Sequence, residues 1–183
     1  MNSKQENETI QSILNGEREK FALLVDKYKG PVYNLVYRLT GSGHDAEDLA
    51  QETFIRAYQS LNHFKPNKKF FPWLYTIALN LTRNHLKKKK PLLVKDFDHL
   101  QTDTSNPEQA LSQLEQAEAL AHHIQRLPVS LREAIILRYY HYLHFGEISQ
   151  ILSISLSAAK MRVYRGLEKL EMLIQRQAAG TKK

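Results

Sequence analysis

The sequence predicts an all-α protein of two small helical domains joined by a flexible linker, the C-terminal one a helix-turn-helix. Three observations predict this. Apolar residues recur at the helical period through most of 7–89 and again through 107–176. Gly and Pro are sparse, seven and six in 183 residues, while Leu, Ala, Glu, Gln and Lys are plentiful. Between the periodic stretches, "PLLVKDFDHLQTDTSN" (91–106) keeps no period and opens on Pro91. The expected division is therefore a domain over 1–90, a linker over 91–106 and a domain over 107–183.

In the first half the pattern predicts helices near 8–14, 17–28, 31–40, 44–61 and 70–88. Their breaks fall at Gly16, Gly30-Pro31, Gly41-Ser42-Gly43 and the loop "NHFKPNKK". After the linker, Asn106-Pro107-Glu108 supplies a capping residue and a first-turn proline for a new helix. Its apolar stripe is Leu111, Leu114, Ala117, Ala121 and Ile124. "LPVS" (127–130) breaks that helix, and Ser130 with Glu133 fits a capping box for the next.

Composition narrows the function. The chain is 42% hydrophobic and 25% charged, in the range of folded soluble proteins. It has no cysteine, which excludes disulfides, thiolate catalysis and Cys-ligated zinc and suits a reducing cytoplasm. "MNSKQENETI" lacks the apolar core of a signal peptide, and no apolar run approaches the length of a membrane span. The expectation is a soluble cytoplasmic protein. Charge is distributed unevenly: 1–64 carries −2, 65–95 carries +9, 96–126 carries −5 and 127–183 carries +5. Two basic blocks separated by an acidic stretch suggest two polyanion-binding surfaces, although a basic block alone is as often plain solvated surface.

Three stretches carry more specific chemistry. In "FGEISQILSISLSAAKMRVYRGLEKL" (145–170), a helix over Glu147–Leu152, a turn at Ser153-Ile154-Ser155 and a second helix form a helix-turn-helix pattern. On the second helix Leu156, Ala159, Val163, Leu167 and Leu170 share one side. Ser157, Ala158, Met161, Arg162 and Arg165 share the other, with Lys160 and Tyr164 at the flank. Small residues beside the Ser155 cap allow close approach to a major groove, and the cations reach phosphates or guanine edges. The alternative is an ordinary helical hairpin with a basic outer face.

In "DAEDLAQETFIRAY" (45–58), Ala46, Leu49, Ala50, Thr53, Phe54 and Ala57 face inward, and Asp48, Gln51, Glu52 and Ile55 face outward. Asp45 and Glu47 are explained by the helix dipole alone. An exposed isoleucine ringed by acids is not; it has the form of a protein-docking patch with an apolar centre, for a basic partner surface.

In "FFPWLYTIALNLTRNHLKKKK" (70–90), Phe70, Leu74, Ile77, Ala78 and Leu81 make one face, and Leu79, Thr82 and Leu86 another. Trp73, Thr76, Asn80, Arg83, Asn84 and Lys87 line the third, preceded by Lys65, Lys68 and Lys69. Trp73 alone reads equally as a half-buried core residue. Asn in mid-helix is unfavourable, however, and Asn80 lies in line with the aromatic and Arg83. Aromatic platforms, amide groups and lysines in one row are what unpaired bases require.

These three stretches, in this order, resemble the sigma factors of bacterial RNA polymerase, in particular the small extracytoplasmic-function (ECF, group 4) members of the sigma-70 family. The resemblance implies that "DAEDLAQETFIRAY" docks on the clamp helices of the polymerase β′ subunit, through Asp45, Glu47, Asp48, Gln51, Glu52 and Ile55. It implies that the 64–87 region melts the promoter and reads its −10 strand, through Phe64, Lys68, Lys69, Trp73, Thr76, Asn80, Arg83, Asn84 and Lys87. The −35 element falls to Ser155, Ser157, Ala158, Lys160, Met161, Arg162, Tyr164 and Arg165. Further implied partners are the polymerase β flap and an anti-sigma factor, with no cofactor and no membrane insertion. Four positions depart from the family pattern: Asn84 for a common Asp, Ser153 for a usual Gly in the turn, Gly146 for a larger residue, and Pro72 early in its helix.

Two rival readings remain at this stage. A stand-alone helix-turn-helix regulator accounts for 127–170 but leaves Ile55 and Asn80 without roles. A metal protein or enzyme has only His122-His123 and the pair His141 and His144 to offer, with no further ligand in evidence.

Overall fold

The computed structural model describes residues 2–65, 68–88 and 117–180, and among them every regular element is helical. The expected linker 91–106, the helix start at Asn106-Pro107-Glu108 and its first apolar positions Leu111 and Leu114 lie outside the described residues.

Helix α1 (Ser3–Leu14) begins five residues before the predicted start, because Asn2 and Gln5 cap it reciprocally. Its buried Glu6 carboxylate accepts from Lys27 and, at 2.6 Å, from the Tyr28 hydroxyl, fixing α1 to α2. A short 3₁₀ turn (Arg18–Lys20) leads into α2 (Phe21–Thr40), which is one helix and not the two predicted about Gly30-Pro31. Both breakers are exposed, so the carbonyl that lacks a Pro31 N–H faces water. The buried stripe Leu24, Tyr28, Val32, Leu35, Val36 and Leu39 runs past them uninterrupted. Gly41, left-handed at φ 71°, closes α2 by donating to the Tyr37 carbonyl at 2.7 Å. Ser42 then caps α3 (Gly43–Gln59), its Oγ accepting from the Asp45 N–H at 3.2 Å. After a 3₁₀ turn at Leu61–His63 comes α4 (Phe70–Lys88), which packs on α2 and α3 through Phe70, Leu74, Ala78 and Leu79.

The C-terminal unit opens with α5 (117–125). Helix α6 (Val129–Ile135) continues into a π-type turn over Ile136–Tyr140. Its N-cap is Pro128 with no side-chain bond, so the predicted Ser130–Glu133 capping box does not form. Glu133 instead points into the molecule and is buried. Helices α7 (Phe145–Leu152) and α8 (Leu156–Gly180) are joined by a three-residue turn, as the pattern predicts. Ser153 takes the left-handed conformation there (φ 54°, ψ 47°), and the Ile154 N–H reaches back to Ser149 O at 3.0 Å. Ala159, Val163, Leu170 and Leu173 bury α8 against α6 and α7. Leu156, assigned to that side by its angle, is 49% exposed, standing at the first position of α8.

The two units pack against each other, with α6 and α7 lying on α2 and α4. Gln125 Nε2 donates to Arg38 O at 2.7 Å and Arg132 Nη1 to Leu39 O at 2.6 Å, so C-terminal side chains cap the last carbonyls of α2. Burial lowers Arg132 to a pKa of about 10, against the pull of Glu133, and it still carries its charge at neutral pH. The Arg38 guanidinium stacks on Tyr140 at 3.7 Å.

Candidate nucleic-acid interface

The aromatic start of α4 forms a cluster of tilted and edge-on rings. The Trp73 ring lies 5.4 Å from Phe64 and 5.5 Å from Phe70, each tilted. Phe64 is only 4% exposed, so it presents no face to a base; it supports Trp73, which is half-buried. The predicted row then ascends the helix. Thr76 is half-buried, Asn80, Asn84 and Lys87 are exposed, and Lys68 and Lys69 stand in front. Arg83 donates to Asn80 Oδ1 at 3.2 Å, so amide and guanidinium form one polar ledge.

Part of this row is already engaged. Arg83 Nε and Nη2 donate to the two Glu133 carboxylate oxygens at 2.6 and 2.8 Å. The single Thr76 hydroxyl hydrogen is shared between Pro72 O of its own helix at 2.9 Å and Ile151 O at 3.2 Å, and Lys69 Nζ donates to Glu147 Oε1 at 3.1 Å. Glu147 also accepts from the His144 N–H at 3.2 Å. Its partial burial resists ionisation, but these bonds outweigh it and hold the carboxyl below its ordinary range. Glu133 was expected only as the capping partner of Ser130, and no local pattern marks its pairing with Arg83 or that of Glu147 with Lys69, since those partners lie in the other half of the chain.

On α8 the Ser155 Oγ accepts from the Ala158 N–H at 3.1 Å, the cap that the sequence predicts. Ser157, Lys160, Met161, Tyr164 and Arg165 are exposed on one side. Ala158 and Arg162 are partly covered, and Arg162 lines a cleft together with Arg83, Lys87 and Glu133. Gly146 has open space where a side chain would stand, so the smaller residue there relieves no clash.

On α3, Ile55 is 51% exposed, with Asp48 and Gln51 exposed and Glu52 half-buried around it. Glu52 accepts from Arg56 Nε at 2.6 Å, and Asp48 lies 3.1 Å from His44 Nδ1. Glu47 is exposed, but Asp45 turns towards α4, 3.4 Å from His85 Nε2, and leaves the outward patch. The apolar centre is wider than Ile55: Tyr58, one turn on, and Leu14 of α1 are both exposed and line one groove. Among the described residues, no group of three or more His, Asp or Glu converges as metal ligands.

The fold and these surfaces define a two-part helical DNA-binding protein with a helix-turn-helix C-terminal part. Two family descriptions match it, Sigma-70 region 2 over residues 24–91 and Sigma-70, region 4 over 117–170. The chain is 39% identical to the ECF RNA polymerase sigma factor SigW of Bacillus subtilis, over 88% of this chain and 92% of that one. It is 32% identical to the ECF RNA polymerase sigma-E factor of Escherichia coli K12, over 91% and 92%. Two solved structures share the fold at a TM-score of 0.70: CnrH bound to the cytosolic domain of CnrY, at 24% identity over 93% and 97% of the chains, and RpoE bound to the anti-sigma factor NepR from Bartonella quintana, at 20% over 86% and 98%. The chain belongs to the extracytoplasmic-function sigma factors of the sigma-70 family. It is an alternative sigma factor, a transcription initiation factor that directs RNA polymerase to promoters.

Proposed function

We propose that the three surfaces divide initiation between them. Residues 1–90 act as the unit that binds core polymerase and melts DNA, 107–183 as the unit that finds the upstream element, and 91–106 as the tether. The outward face of α3, with Asp48, Gln51, Glu52 and Ile55, docks on the β′ clamp helices, while the C-terminal unit meets the β flap. Ser157, Lys160, Met161 and Arg165 read the −35 major groove from α8. Trp73, Asn80, Arg83, Asn84 and Lys87 hold the unstacked −10 strand. Holding bases only in the opened state shifts the melting equilibrium without any catalytic step, so the chemistry stays with the polymerase. The protein works in the cytoplasm, and an anti-sigma factor binds it, as the anti-sigma factor NepR is bound to RpoE in a solved complex.

The observation that carries this reading is the row on α4, where a supported indole, an exposed amide and cations succeed one another along one helix face. Run-off transcription from fragmented genomic DNA, with sigma-free core polymerase, tests it. Discrete transcripts that need this protein and share an upstream motif are expected. Binding to duplex DNA without any polymerase-dependent transcript would favour a stand-alone regulator instead.

A further inference from the structure

The cleft that Arg162 lines is about 370 Å³, the lower end of the range that small organic ligands occupy. Its cations are Arg83 and Lys87 of α4 and Arg162 of α8, set against the Glu133 carboxylate of α6. Arg83 and Glu133 cancel. The guanidinium gives Nε and Nη2 to the two carboxylate oxygens at 2.6 and 2.8 Å, and Nη1 to Asn80 Oδ1 at 3.2 Å. Lys87 and Arg162 are left over: among the described residues neither has an ion pair or a side-chain hydrogen bond. Three different helices thus bring a cleft together with two unmatched positive charges in it.

Two further features bear on what fits there. Arg162 is half-buried, while Lys160 and Arg165 on the same helix are exposed, so Arg162 is partly withdrawn from the open basic face. The cleft also has an apolar wall, supplied by Leu86, Val129 and Leu152, and a hydroxyl without a partner among the described residues, that of Ser130. An anion seated between Lys87 and Arg162 relieves their repulsion and gains charge-assisted hydrogen bonds. A bare phosphate would leave the apolar wall unfilled, whereas a base covers it. We propose that this cleft binds a free nucleoside diphosphate, its phosphates on Lys87 and Arg162, its base on the apolar wall and a sugar oxygen on Ser130.

This binding needs neither promoter DNA nor polymerase, so it is measured on the full chain alone. Isothermal titration with ADP and with GDP is expected to give one site per chain for at least one of them, roughly tenfold tighter than for pyrophosphate. Arg162→Ala should weaken that binding about fivefold or more, and Lys160→Ala, outside the cleft, should leave it unchanged. Oligothymidylate binding should be indifferent to Arg162→Ala. No binding of either nucleotide, affinity equal to that of pyrophosphate, equal losses in the Lys160 and Arg162 variants, or a parallel loss of oligothymidylate binding each overturns the proposal. A second variant guards against misfolding: Ser130 is exposed, so Ser130→Asp should fold, and its carboxylate should abolish the rise in Tm that the nucleotide gives wild type. An undiminished rise in that variant overturns the site as well.

Discussion

Ser153 holds a left-handed backbone (φ 54°, ψ 47°) at the turn between α7 and α8, a region that costs an L-residue about 1–2 kcal/mol and glycine almost nothing. Tyr142, 82% exposed at φ 54°, is strained in the same way before α7. Ser153→Gly is expected to stabilise the protein by about 0.5–1 kcal/mol, after the entropy that glycine adds to the unfolded chain, and to raise Tm in a thermal melt while upstream-element binding is unchanged. The departure of Ser153 from a glycine-bearing turn was legible through the resemblance to the sigma factors, whose turn usually carries Gly. Other side chains were not legible. Phe64 read as a base platform and is buried under Trp73; Glu133 read as half of a capping box and pairs with Arg83, fifty positions earlier. Local pattern cannot report a partner supplied by tertiary packing.

At the scale of elements, α3 presents exposed Ile55 beside Asp48, Gln51 and Glu52, with Tyr58 one turn on. Asp48→Lys reverses one rim charge on an exposed site, so folding should survive while affinity for core polymerase falls at least fivefold in a fluorescence competition assay; full affinity would remove α3 from the docking role. Gly166 of α8 is a different case. A Cβ there would meet Ile135 Cγ1 at 2.8 Å and Cδ1 at 3.0 Å, since α6 and α8 approach closely at that point. Gly166→Val is therefore expected to cost about 1–3 kcal/mol in urea unfolding by forcing the helices apart. The inward stripes of α3, α4 and α8 could be read in advance because period alone determines which residues share a face. The continuity of α2 could not, because whether Pro31 breaks a helix depends on which side faces water.

The arrangement of the whole molecule was the least legible level, since every bond between the halves joins residues distant in sequence. It also brings a pH dependence. Tyr75 Oη lies 3.0 Å from His141 Nδ1 across the contact between α4 and the loop before α7. Burial, and then nearby Arg38, lower the His141 pKa from 6.5 to about 4. A His with a lowered pKa binds fewer protons when the two units are packed, so that packing loses stability as pH falls from 6.5 towards 4. By pH 5 the loss is up to roughly 2 kcal/mol, all of it from His141, since the lowered Glu147 carboxyl gives up its contribution only below its ordinary range. Distance between dyes on the two halves should lengthen on acidification from pH 7.5 to 5, and His141→Gln should flatten that response. The strand-holding role proposed for Arg83, beside its pairing with Glu133, carries one more consequence. Pairing with a DNA strand releases condensed counterions and weakens steeply as salt rises, whereas the Glu133 carboxylate is shielded from bulk ions. On the proposed role the two partners of one guanidinium respond unequally to ionic strength, so promoter opening by this protein should weaken as salt rises in a transcription assay.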